Sequence, residues 1–127
     1  QLVWGGPGIG AFIDGDSINV STQSTQAKSI LCTGIPSRFD LSDKEQAAWF
    51  IGQVVRFGKI RMFGAASISL LKVAKGSADA YMERDIMFWD VAAGLAIVLG
   101  AGGYINVSSG TQPFARDVVA TNGRLSI

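Results

Sequence analysis

The sequence predicts an α/β domain, a layered mixed sheet with helices on both faces. Three observations predict it. Short apolar runs alternate with stretches of helical periodicity roughly ten to sixteen residues long. The 127 residues are 48% hydrophobic, enough for one buried core and short of two. No repeat, low-complexity tract or linker divides the chain, so 1–127 reads as a single domain.

The opening Gly5-Gly6-Pro7-Gly8-Ile9-Gly10 reads as a loop. Its glycines imitate a dinucleotide fingerprint, which would need a strand before it and a helix after it. Instead Ala11-Phe12-Ile13 and Ile18-Asn19-Val20 flank Asp14-Gly15-Asp16, a hairpin whose Asp-Gly suits positive φ. A polar connector, 21–26, leads to an apolar strand at 29–34 that ends at Pro36. Ser42 and Glu45 form a capping-box pattern, and Ala48, Ile51, Val54 and Val55 recur at helical spacing, predicting a helix over 42–57. Residues 60–63 form a short strand. Ala65, Ile68, Leu71 and Val73 then mark a second helix closed by Lys75 and Gly76. Residues 78–83 read as a strand, after which Asp90 caps a third helix to about Leu99, stopped by Gly102-Gly103. Strands at 104–107 and 118–120 complete the series.

Composition removes several classes of function. Eleven Lys and Arg balance ten Asp and Glu, so net charge invites neither nucleic acid nor an anionic membrane. There is no histidine, which excludes Ser-His and Cys-His catalysis and histidine zinc sites. Chemistry must come from carboxylates, lysine, hydroxyls or backbone. The most apolar run, Val91 to Ile105, is fifteen residues with four glycines, short of the roughly twenty that span a bilayer. It is a core element. Cys32, the single cysteine, reads as a small buried hydrophobe rather than a nucleophile, and its solitude fits a reducing, cytoplasmic setting. The chain begins with Gln1 and shows no leader pattern, which points to sequence upstream.

Glu83 and Asp90 lie seven residues apart, the first leaving a strand and the second opening a helix, so both project from one edge of the sheet. That edge is where α/β folds bind ligands. By itself Asp90 reads as an N-cap, with metal ligation the less common alternative.

The run Gly64-Ala65-Ala66-Ser67, Gly76-Ser77-Ala78-Asp79-Ala80-Tyr81-Met82-Glu83, Trp89-Asp90-Val91-Ala92-Ala93-Gly94 and Ala101-Gly102-Gly103 resembles the C-terminal signature of the inositol monophosphatase family. The hairpin residues Gly10-Ala11-Phe12, Gly15 and Ile18-Asn19-Val20-Ser21 resemble that family too, as does Val118-Val119-Ala120-Thr121-Asn122. The resemblance implies the C-terminal domain of that fold and magnesium-assisted hydrolysis of a small phosphomonoester. It gives Asp90 the role of a magnesium ligand and Glu83 that of a substrate-hydroxyl acceptor. Ala66 falls where the backbone lies beside the substrate, and Met87 and Ser37 fall near the site, where core filler and turn hydroxyl are equally good readings. The Ala78–Glu83 run leans toward the inositol monophosphatase branch.

The family's Asp-Pro-(Ile/Leu)-Asp-Gly-Thr and Gly-Glu-Glu elements are missing, and Asp14-Gly15-Asp16 does not replace them. Gly100 stands where the family usually has glutamate, and Ile127 precedes the end of the usual terminal helix. The resemblance thus implies a C-terminal half with no complete catalytic set, weak or absent magnesium binding alone, and little phosphatase activity by itself. An apolar face left by the other half implies a partner polypeptide or a homo-oligomer. The alternative is a free-standing, non-catalytic domain used in binding or assembly.

Overall fold

The computed structural model describes residues 1–35, 40 and 42–127. The glycine-rich opening is loop only over Pro7, Gly8 and Ile9, while Gly5, Gly6 and Gly10 belong to strands. β1 (Val3–Gly6), β2 (Gly10–Ile13) and β3 (Asp16–Ser17) form an antiparallel sheet in that order. Trp4 and Phe12 stack across it with ring centroids 4.4 Å apart. A Cβ on Gly100 would strike the Gly10 carbonyl and the Gly6 backbone, so its absence lets this sheet pack closely there. No helix follows, so the nucleotide fingerprint is excluded. The Asp-Gly turn is as expected, with Asp14 at φ 48° and Gly15 at φ 88°. The strand expected at 18–20 instead ends at Ser17, because Ile18 and Val20 turn into the core and the Val20 amide donates to the Ala101 carbonyl.

The main sheet runs β5-β4-β6-β8-β7. β4 (Ile30–Thr33) lies parallel to β5 (Lys59–Arg61) and β6 (Ala80–Met87), whereas β8 (Ala115–Thr121) is antiparallel to β6 and to β7 (Tyr104–Ser109). The two-residue period of a strand sorts side chains onto two faces. Cys32, Tyr81, Val118 and Ala120 meet α2 (Ala66–Ala74) and α3 (Ala92–Gly100) in the principal core. Leu31, Ala80, Met82 and Val119 face the other way, toward Phe57 and Leu125. On that second face Arg84 of β6 lies 4.5 Å from the ring centroid of Trp49 in α1 (Lys44–Arg56). Helices therefore occupy both faces, as the sequence predicts.

Close packing explains another glycine. A Cβ on Gly94 would sit 2.6 Å from Leu70 Cδ1, so its absence lets α3 approach α2. Gly76, at φ 80°, closes α2 as expected. The α1 cap shifts by one residue: Asp43 Oδ1 accepts from the Glu45 amide at 2.9 Å and the Gln46 amide at 3.3 Å, while the Ser42 hydroxyl is occupied by Asp40. Pro36 lies outside the described residues. No helix among those described is long and apolar enough to cross a membrane.

Candidate active site

Three parallel strands end at one edge of the main sheet, and the chain beyond them builds a cleft of about 340 Å³. Thr33 ends β4 and Gly34 follows it, Gly64 and Ala65 lead into α2, whose first residues are Ala66 and Ser67, and Glu83 and Asp90 come from β6 and the turn after it. The sequence-predicted residues Ala66, Glu83 and Asp90 thus line one cavity.

Glu83 is set by its strand. It shares a face with Tyr81, whose fully buried hydroxyl donates to Glu83 Oε1 at 2.9 Å. Gly34 leaves room for the carboxylate, since a Cβ there would lie 2.5 Å from Oε1. Burial raises the Glu83 pKa and the nearby Asp90 charge adds to this, while the Tyr81 hydrogen bond opposes both. The charge of Glu83 in turn helps keep Tyr81 protonated, although burial is the larger cause.

Asp90 is held differently. It ends a 3-10 turn, Phe88–Asp90, and does not cap α3 as the sequence suggested. The tight turn places Val91 at the cap position, where the Leu95 amide donates to the Val91 carbonyl. The Asp90 side chain is exposed at the cleft and makes no hydrogen bond among the described residues.

Ala66 is the first residue of α2. Ala65 before it caps with no side chain, and the first helical hydrogen bond runs from the Ser69 amide to the Ala65 carbonyl. The amides of the first turn therefore open toward the cleft, a setting that favours anions and hydroxyl oxygens. Gly64, at φ 81°, makes the turn into this end possible.

Met87 is displaced from the site by a bulge. Glu83 pairs with Val118 and Ile86 with Arg116, so β6 carries one extra residue over this interval. Asp85, at φ 59°, absorbs it. Ile86 thereby lines the cleft in place of Met87. Ser37 lies outside the described residues. Sequence reasoning missed Tyr81 and Gly34 as neighbours of Glu83; the i−2 spacing within a strand could have found Tyr81. Cys32 is fully buried, and burial pushes its thiol up to about 11, consistent with the core reading. Asp79 is structural: it accepts from the Ser21 hydroxyl at 2.5 Å and the Ile30 amide at 2.7 Å.

The sequence profile of the inositol monophosphatase family matches residues 1–126. The chain belongs to the inositol monophosphatase family. Among its relatives, a fructose-1,6-bisphosphatase/inositol-1-monophosphatase of Aquifex aeolicus is 32% identical over 126 residues, 98% of this chain and 47% of that protein. Human inositol monophosphatase 1 is 37% identical over 129 residues, covering 93% of this chain and 44% of the human protein. The inositol monophosphatase structure from Anabaena superposes with a TM-score of 0.80 at 33% identity, over 92% of this chain and 47% of that one. The chain thus spans about half the length of the inositol monophosphatase relatives it matches.

The family resemblance implies magnesium, and the described residues offer few ligands for it. They contain no group of three or more acidic, cysteine or histidine side chains able to hold a metal. Asp90 offers one exposed carboxylate, whereas Glu83 is buried and engaged by Tyr81. Magnesium demands near-octahedral oxygen coordination, so this donor set does not by itself fit the ion.

Proposed function

We propose that this chain is the C-terminal half of a magnesium-dependent phosphomonoesterase of the inositol monophosphatase family. The other half, with the remaining metal ligands, comes from polypeptide outside these 127 residues. In this reading Asp90 contributes one ligand, Glu83 accepts a hydrogen bond from a substrate hydroxyl, and the Ala66 amide donates to the substrate. The observation that carries it is the convergence of Glu83, Asp90 and the open start of α2 on one cleft.

Each group suits its role physically. Tyr81 occupies Glu83 Oε1 and leaves the rest of the carboxylate as an acceptor, while burial strengthens any hydrogen bond it makes. The α2 amides supply donors without a countercharge, which suits a phosphate ester carrying neighbouring hydroxyls. Names of the relatives point to inositol monophosphates and fructose 1,6-bisphosphate as first substrates to try.

The test is magnesium-dependent phosphate release from inositol 1-phosphate, with the chain alone and with a folded complementary half. Activity is expected only in the mixture, and Asp90→Asn should abolish it without unfolding the chain. Release by the chain alone would sink the claim that the site is shared. A folded mixture that stays inactive would favour a non-catalytic binding or assembly domain.

A further inference from the structure

Tyr81 is fully buried and lies outside the lining of the cleft, yet its hydroxyl ends on Glu83, which lines it. The residue sits in the middle of the main sheet, with Cys32 of β4 opposite on one side and Ala120 of β8 on the other. Both neighbours are small and fully buried, which leaves room for the aromatic ring in the core it shares with Leu70 and Val73 of α2. A ring packed in this way has one place for its hydroxyl. That place is 2.9 Å from Glu83 Oε1.

Gly34 backs the same carboxylate. A Cβ added to Gly34 would lie 2.5 Å from Oε1, 3.1 Å from Cδ and 3.5 Å from Oε2, so the glycine stands against the oxygen that Tyr81 engages. Oε1 is enclosed between them, and Oε2 is the oxygen left for the cleft. Glu83 is 8% exposed, and its side chain has no other hydrogen-bond partner among the described residues. Without the phenol, Oε1 would be a buried acceptor with nothing to accept, which the side chain relieves by turning. Oε2 would then no longer be aimed into the cleft.

We infer that Tyr81 is a positioning residue for substrate recognition, one that holds Glu83 Oε1 from inside the core so that Oε2 meets a substrate hydroxyl; this rests on the role proposed for Glu83 above. Tyr81 touches no substrate itself. A carboxylate oxygen accepts and does not donate, so the clamp favours phosphomonoesters that carry a free hydroxyl near the ester. An ester without such a hydroxyl gains nothing from it.

The test compares inositol 1-phosphate with phenyl phosphate, which has no hydroxyl to donate, on this chain with a folded complementary half. Tyr81→Phe should lower the ratio of kcat/KM for inositol 1-phosphate to that for phenyl phosphate at least about tenfold. In a Glu83→Gln background the same change should alter that ratio less than about twofold, because the two residues act as one unit. Equal loss on both esters, as a merely loosened fold would give, or a tenfold fall in the Glu83→Gln background would overturn the inference. A second readout needs no activity. In the chain alone the Tyr81 hydroxyl proton should be protected from exchange and visible by NMR, and Glu83→Ala should shift or abolish its signal. A signal unmoved by that change would also overturn the inference. A wild-type mixture inactive on both esters would sink the functional reading, while the hydroxyl proton would still decide whether Tyr81 holds Glu83.

Discussion

The two faces of the main sheet are built from the same strands but are covered very differently. On one, Leu70, Val73 and Val98 of α2 and α3 close completely over Tyr81 and Cys32. On the other, α1 carries a regular apolar pattern, yet Ile51 is 59% and Val55 73% exposed, and the one buried α1 residue is Gln53. Periodicity states which residues could share a face; it does not state that anything covers them. The cleft repeats the contrast, with Glu83 gripped from the covered face and Asp90 presented on an exposed turn.

Four measurements would break or sharpen this comparison. Leu70→Ala removes a fully buried side chain that packs against Gly94 of α3 and should lower the unfolding free energy by about 2–5 kcal/mol in urea denaturation. A loss as small as that of a surface change would show that the covered face is loosely packed. Tyr81→Phe removes the donor to Glu83 and should cost about 1–3 kcal/mol by the same measurement, because it strips a hydrogen-bond partner from a buried acid. The third measurement is pH dependence. The folded pKa of Glu83 lies above its ordinary 4.5, so its contribution favours folding most below that value and is lost as pH rises through the raised one. Replacing Glu83 by Gln should flatten that part of the stability profile; an unchanged slope would mean that Glu83 is not the group responsible. Smallest of all, Val55→Ser should change stability by less than about 0.5 kcal/mol. A larger loss would reveal that α1 is covered in solution.

Much of this organisation was legible beforehand. Asp14-Gly15 announced its turn, Gly76 its helix end, and the alternation of strands and helices the layered architecture. The Trp89–Gly94 run was sufficient to point to the family. Errors arose where a local pattern had two solutions of similar energy. Ser42 and Asp43 can each cap a helix, and the partner taken by Ser42, Asp40, settled the matter. A glycine-rich segment can be loop or strand, and pairing with Gly10–Ile13 made Gly5 and Gly6 strand while Pro7–Ile9 stayed turn. For α1, periodicity placed the helix but not its burial, which depends on what packs there.

What the sequence by itself determined is the three helices, most of the main-sheet strands and the family, with Ala66, Glu83 and Asp90 nominated as candidates, because residue type and spacing are local properties. Tertiary structure decided that these three meet in one cleft, that a 3-10 turn releases Asp90 from capping, and that Ile86 replaces Met87 at the site. The physical reason is the long-range pairing of β6 with β8. The extra residue of the bulge is defined only against Val118 and Arg116, far along the chain from their partners Glu83 and Ile86, so no pattern within β6 alone specifies which side chains face the cleft.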